Sequence, residues 1–512
     1  MRLSSLLLGT LAIVTMVPPG HALDLSLTAA PYTTGGLYTN PVFPVEGETV
    51  QIVLRAQVEG ETAGAIPAEL AIGYPSGLVR RFPLSLTLAD GLAEGVLPFS
   101  APANGIYTVT ATLDPEQALN ETDESNNTAQ ITLPVVVAGR ELNFVWYGEE
   151  PTLRWTTCVA SANDEAQRKR LAERGITPLH WEYGGMSWSY YDKERAQTDP
   201  EAVLSEIEAV FDGKFSGGQP PYAAGPGIDE TGGYPGSFKE RASAASMRAM
   251  VRAKRAHPER FFAVWHGGGL REELAQYYRE GADLLLVETY LFRAIPDELG
   301  LDDIYETIEA RLGEIMRSAD MLLPAYGNHC YTLIALDACE RPDWIDLGEQ
   351  EQVVRAIRRL CPEMRGIAWY NSGYGGYGLE RSESGDRQRE AVVANAERLF
   401  WDYWVRPCVT IMPQSVWTRQ TGPGEVEITC AVSNLGAMDS GPVVVGFYVD
   451  GRCVDTVTVG KVPAGRGRLA SRALSKQVVE VSAGPHIFSA RILTAREATV
   501  LDPRQETDRY VE

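Results

Sequence analysis

Two adjacent acidic residues close the run Ala224-Gly-Pro-Gly-Ile-Asp-Glu230 and open onto the loop Thr-Gly-Gly-Tyr-Pro-Gly. A third, Glu288, ends the strongly apolar run Asp283-Leu-Leu-Leu-Val-Glu288. Cleavage of a glycosidic bond needs one carboxyl group to protonate the leaving oxygen and another to attack or to activate water. Neighbouring carboxyls on an extended strand point to opposite faces. One of Asp229 and Glu230 is therefore expected in a pocket, and the other at a helix cap or against a neighbouring strand. The reading is Glu230 as general acid/base, Asp229 in support and Glu288 as nucleophile or base. A carboxylate behind four apolar residues is costly unless paired or at work. The plain alternatives are a helix cap beside a surface turn for the pair, and a buried carboxylate held by Tyr or His for Glu288. Glu182 stands in reserve, and Glu149, beside Glu150-Pro151, reads as exposed loop.

Histidine is scarce, with six in the chain, and three of them, His180, His266 and His329, fall at expected strand ends. With Asp229 or Glu288 they could ligate a metal, but no HxH or HExxH spacing is present, so hydrogen bonding to sugar hydroxyls or to the acid pair is the preferred role. No metal and no cofactor is expected. Trp146, Tyr147, Trp181, Tyr183, Trp188, Trp265, Tyr290, Tyr326, Trp369 and Tyr370, with the amide of Asn371, gather at or just past the same strand ends. Aromatic faces stack on the apolar faces of sugars while Tyr and Trp tips hydrogen-bond. Strand alternation sends the remainder between strand and helix. Ser372-Gly-Tyr-Gly-Gly-Tyr-Gly378 reads as a loop over this face or as a plain connection, and lacks the phosphate-cradling GxGxxG spacing.

Positioning these residues requires seven short apolar runs, Asn143–Glu149, Leu179–Tyr183, Ala224–Glu230, Ala263–His266, Leu285–Tyr290, Leu323–His329 and Gly366–Asn371. Helix-forming segments lie between them, at 165–174, 200–211, 238–256, 271–281, 302–319, 348–360 and 387–404. Residues 140–405, about 265 in all, suit a (β/α)8-type TIM-like barrel of about 250, in which strand carboxyl ends share one catalytic face. An eighth strand is expected in the gap from Trp188 to Tyr222, with a seven-stranded variant as the alternative. In architecture and strand-end composition this segment resembles a glycoside-hydrolase-type barrel, with no motif that names a particular family.

Residues 23–139 read as all-β, with alternation in Thr49–Val58 and Ile106–Leu113. The acidic, Asn-rich turn Asp114-Pro-Glu-Gln-Ala-Leu-Asn-Glu-Thr-Asp-Glu-Ser-Asn-Asn127 before a final strand, behind Gly105-Ile-Tyr-Thr-Val, resembles the CARDB family of bacterial immunoglobulin-like adhesion modules. Residues 406–512 resemble a diverged second copy, on Glu425-Val-Glu-Ile-Thr-Cys-Ala-Val-Ser-Asn-Leu-Gly436 and an Asp450-Gly451 hairpin. The paired Asn is missing there and little chain is left for a closing strand. The expected fold is thus multidomain, a central (β/α)8-type TIM-like barrel flanked by two all-β immunoglobulin-like sandwiches.

Residues 1–22 read as a secretory signal cut after Ala22, and no later run is apolar enough to span a membrane. A secreted or extracytoplasmic location is expected. The formal charge is −22, from 46 basic and 68 acidic residues, and loss of Arg2 with the signal gives −22 − 1 = −23. That balance argues against nucleic acid, whose phosphates need a basic face. Of seven cysteines, Cys330 and Cys339 form the preferred pair, Cys430 and Cys453 a weaker one, and Cys158, Cys361 and Cys408 read as buried thiols. The function expected is a secreted glycoside hydrolase acting on a polysaccharide or oligosaccharide. The β-modules would contact a cell surface or matrix. The alternatives are a non-catalytic glycan-binding surface protein and a metal-dependent carbohydrate esterase.

Overall fold

The structure is a computed structural model. It describes residues 23–27, 36–41, 43–60, 64–89, 91–137, 142–146, 155–160, 164–184, 191–267, 270–288, 331–337, 347–360, 362, 366–370, 391, 394–464, 471–501 and 504–511. Strands β1 (Asp24–Ser26), β2 (Gly36–Asn40), β3 (Thr49–Glu59), β4 (Ile66–Gly73), β5 (Val79–Ala89), β6 (Leu92–Ser100), β7 (Gly105–Leu113) and β8 (Thr128–Val135) come first. The alternation read in β3 is real: Val50, Ile52, Leu54 and Ala56 are buried and meet Tyr107 and Leu133 in one core. The pairing is antiparallel along the continuous path β1-β3-β6-β5-β4-β7-β8, with β2 on β3. The two ladders join through β5, whose Val79–Leu86 pairs with β4 and whose Thr87–Ala89 pairs with β6.

The central strands are β9 (Leu142–Trp146), β10 (Cys158–Ala160), β11 (Thr177–Tyr183), β12 (Gly225–Gly232), β13 (Ala263–Gly267), β14 (Leu284–Glu288), β15 (Tyr331–Asp337) and β16 (Gly366–Tyr370). They are parallel and close on themselves, β9 lying between β16 and β10. Around them pack α1 (Glu165–Glu173), α2 (Lys193–Thr198), α3 (Pro200–Ser216), α4 (Phe238–Ala256), α5 (Glu272–Gly281) and α6 (Leu347–Leu360). Asp164, Asp192, Asp199 and Ser237 cap the first four, each side chain accepting from backbone N–H groups of the first turn.

This corrects the expected fold class. The chain is mostly β, and a clear (β/α)8 TIM-like alternation is not what it shows. Among the described residues no helix separates β9 from β10, so one barrel strand follows another without the regular unit. The eighth strand is β10, three residues long, and the gap from Trp188 to Tyr222 holds α2 and α3 instead. The strand expected at 323–329 lies outside the described residues, and the strand that pairs with β14 is Tyr331–Asp337.

The last strands are β17 (Cys408–Thr410), β18 (Val416–Gly422), β19 (Glu425–Asn434), β20 (Pro442–Val449), β21 (Arg452–Lys461), β22 (Ser471–Glu480), β23 (Gly484–Ala495), β24 (Thr499–Val500) and β25 (Arg504–Val511). They form a five-stranded and a four-stranded sheet. β25 pairs with β23 and supplies the closing strand for which little chain seemed left. Asp450 and Gly451 both have positive φ, 48° and 79°, as a type I′ hairpin needs. Asn434 is fully satisfied. Its Oδ1 accepts from Cys408 N at 3.1 Å and Gly436 N at 3.0 Å, and its Nδ2 donates to Met438 O at 2.9 Å and Val462 O at 3.1 Å. Cys430 is buried and Cys453 exposed, both as free thiols, so that pairing does not form. Cys158 and Cys408 are buried free thiols, and Cys330, Cys339 and Cys361 lie outside the described residues.

Candidate functional site

Parallel partners in register lie on the same face of a sheet, and successive residues alternate between faces. Trp181 pairs with Gly227, Tyr183 with Asp229, Trp265 with Leu286 and Gly267 with Glu288. Trp181, Asp229, Trp265 and Glu288 therefore share one face. The residues between them share the other, and the helices identify it: the Lys214 ammonium of α3 pairs with Glu182, and His266 Nδ1 lies 2.9 Å from the Tyr278 hydroxyl of α5. The first four residues thus point into the barrel. The indole N–H of Trp181 donates to Asp229 Oδ2 at 3.3 Å, across that interior.

Asp229 and Glu230 do not obey simple alternation, because the strand is bulged between them. Against β13 the register runs Ile228 with Val264 and then Thr231 with His266, one residue too many on β12. Glu230 absorbs the extra residue with φ of +52°, a conformation non-glycine residues rarely adopt and one that gathers at functional sites. Its N–H donates to Asp229 Oδ1 at 2.8 Å. Behind the bulge, Thr231 Oγ1 donates to Trp265 O at 2.8 Å and accepts from Tyr278 at 3.1 Å. In front, Gly184 N donates to Asp229 O, so close that a Cβ on Gly184 would sit 2.5 Å from that carbonyl.

Asp229 is 7% exposed, and burial pushes its carboxyl up to about 7, a shift reinforced by the charges of Glu230 and Glu288. The Glu230 N–H and the Trp181 indole pull the other way without cancelling it. A carboxyl group that holds its proton near neutrality can donate it. Glu288 is half-buried at the end of β14 on the same inner face. Trp265, 2% exposed, lies on the same inner face, in register with Leu286 two residues before Glu288.

Several expected site residues lie elsewhere. Glu182 is committed to Lys214, and His180 shares its outward face, where burial pushes the imidazole below its ordinary range. His266 belongs to the Tyr278–Thr231 network under α5. Trp369 follows Ala368, which is in register with Ala335 and through it with Glu288, so the Trp369 side chain takes the outer face and is buried in the core. The scarce histidines were misleading because strand-end position does not specify a face. Trp146 belongs to β9 by its backbone, but its side chain lies outside the described residues, as do Tyr290, Tyr326, His329 and Asn371 altogether. Among the described residues no three His, Cys, Asp or Glu side chains converge on a metal position.

Residues 407–482 match the CARDB family. The matched stretch is the copy whose signature is Glu425–Gly436, without the paired Asn. Among solved structures, the CARDB domain of a Pyrococcus furiosus protein in complex with di-metal ions is 20% identical, covering 23% of this chain and 96% of its own, with a TM-score of 0.17. A Paenibacillus cycloisomaltooligosaccharide glucanotransferase is 11% identical over 93% of this chain and 71% of its own, with a TM-score of 0.32. A Bacteroides uniformis β-glucuronidase is also 11% identical, with a TM-score of 0.31, and this chain, 96% of it aligned, spans only 60% of that enzyme. No curated protein matches the chain.

Proposed function

We propose that the central barrel is a carbohydrate-active hydrolytic site in which Asp229 is the general acid and Glu288 the second carboxylate. The observation that carries this reading is the buried Asp229, its carboxyl pushed up to about 7 and bonded to Trp181 on the inner face that Glu288 shares. An acid that keeps its proton near pH 7 meets the leaving oxygen. A second carboxylate on the neighbouring rim attacks or activates water. Glu230 was the sequence-based choice for the acid. Its main-chain role at the bulge, where it donates to Asp229, favours Asp229 for the proton and leaves Glu230 to shape the rim. Trp181 adds a ring on which the apolar face of a sugar can stack. Secretion through residues 1–22, and delivery to a surface by the β-modules, belong to the same proposal.

The test is hydrolysis of a panel of oligo- and polysaccharides by the full chain and by Asp229→Asn and Glu288→Gln. Each variant is expected to lose roughly 10²- to 10⁴-fold in kcat/KM, while Glu230→Gln loses much less. Binding without hydrolysis in the parent protein would turn the assignment to a glycan-binding module.

A further inference from the structure

The carboxyl end of β12 is bent, and a bent strand needs something to hold it. Glu230, at φ of +52°, takes a strained conformation that persists only where its surroundings over-determine it. Before the bulge, Gly184 N donates to Asp229 O. After it, the buried Ser243 hydroxyl of α4 accepts from Gly232 N at 3.0 Å and donates to Gly232 O at 2.8 Å. Between these clamps stands Thr231, whose hydroxyl ends a chain of side chains reaching outward to α5.

Proton supply fixes the direction of that chain. A carbonyl only accepts, so Thr231 Oγ1 commits its one proton to Trp265 O at 2.8 Å. It then accepts from the Tyr278 hydroxyl at 3.1 Å, which uses the single proton of that group. Toward His266 Nδ1, 2.9 Å away, Tyr278 has only a lone pair to offer, so Nδ1 carries the hydrogen. His266 lies on β13 in register with Thr231. The chain therefore leaves β13 at His266, passes through Tyr278 of α5, and returns to β13 at the Trp265 carbonyl through Thr231, next to the bulge. Thr231 and Tyr278 are 0% exposed and His266 is 1% exposed. A broken link would strand a buried donor or acceptor where water does not replace the lost partner.

We propose that Tyr278 is a positioning residue for the barrel's acid: its hydroxyl holds Thr231, and with it the bulge that turns Asp229 onto the inner face beside Trp181. Tyr278 belongs to the helical layer, across the strands from that face, so it acts through the main chain of β12. The inference rests on the hydrolytic reading of Asp229 only for its effect on turnover. A tyrosine that merely filled the core would give way to phenylalanine without consequence for the site.

The experiment compares the full chain with Tyr278→Phe and Thr231→Val, which remove one hydroxyl each, and with Thr231→Ser, which retains it. In the parent chain, nitrogen NMR on labelled histidine is expected to find His266 protonated at Nδ1. Tyr278→Phe and Thr231→Val are expected to lower kcat on the best substrate of the saccharide panel roughly 10- to 100-fold, with little change in KM. Both should also move the Asp229 titration, followed by NMR of its side-chain carbonyl, downward as that carboxyl opens to water. Thr231→Ser should stay close to the parent in both readouts. An unprotonated His266 Nδ1, or an Asp229 titration unmoved in Tyr278→Phe, overturns the inference whatever the turnover. A shifted titration in a chain whose parent hydrolyses no saccharide sustains it and removes the hydrolytic reading instead. Should Tyr278→Phe fail to fold, the His266 tautomer and the Thr231 pair decide the same question.

Discussion

Burial pushes the Asp229 carboxyl well above the usual aspartate range, and this has a sign that can be measured. Its folded value, about 7, lies above the ordinary 3.8, so the folded state holds more protons than the unfolded one between those values. Stability from this group is therefore fully present below about pH 4 and falls as pH rises through 7, by up to about 4 kcal/mol at one carboxyl. Asp229→Asn should flatten that part of the pH–stability curve and raise the melting temperature at pH 8, even as it removes the hydrolysis proposed for the site. Equal pH dependence in parent and variant, read by urea titration at several pH values, would show Asp229 to be ionised. The carboxylates that reach the inner face were among those singled out from apolar runs, with Glu230 chosen as acid, Asp229 in support and Glu288 as the second group. Which member of the Asp229–Glu230 pair faces inward was not legible, because period-2 reasoning fails wherever a strand carries an extra residue. Histidine scarcity pointed at His180 and His266, and both serve the outer layer.

The bulge of β12 decides what the barrel can present, and Gly184 is the residue that permits it. Its N–H reaches the Asp229 carbonyl, where any side chain would collide with backbone on two sides, Asp229 O and Glu230 O. Gly184→Ala should cost roughly 2 kcal/mol or more, and should lower the Asp229 pKa as the rim opens to water, measured by an NMR titration of the side-chain carbonyl. An unchanged titration would mean that the bulge does not depend on this contact. Long helices with capping residues were readable: the expected 238–256 is α4, and 200–211 is the first part of α3. Most five-residue strands were readable too, as at 263–266 and 366–371, but β10 and β15 were not. β10 is three residues, too few for any periodicity to register, and β15 is an apolar run next to a Gly- and aromatic-containing stretch with equal claim.

At the scale of the molecule, one hydrophobic cluster runs from the barrel into both β-bodies, taking in Val136 from the first and Ala437, Met438 and Leu501 from the last. Val137 N donates to Ala437 O at 3.0 Å, and the Asn104 side chain exchanges hydrogen bonds with Asp439 at 3.1 and 3.3 Å. Arg358, 1% exposed, stacks over Trp404 with 4.9 Å to the ring centroid and donates to Leu435 O at 2.8 Å. Arg358→Ala strands that carbonyl and hollows the junction, so a loss of about 3 kcal/mol is expected, with calorimetric unfolding splitting into separate transitions. A single unshifted transition would show the bodies to be energetically independent. The separate sheets were expected from composition and strand alternation. The junction was not, since its residues read as ordinary strand and helix until they meet.

Because β9 sits between β10 and β16, the sheet's seam joins residues 142–146 to residues 366–370. During synthesis the first central strand must wait, its hydrogen-bonding edge open, until the last has left the ribosome. Partial chains ending before Gly366 would expose that edge to other copies of themselves, and they are the species a holding chaperone would have to cover.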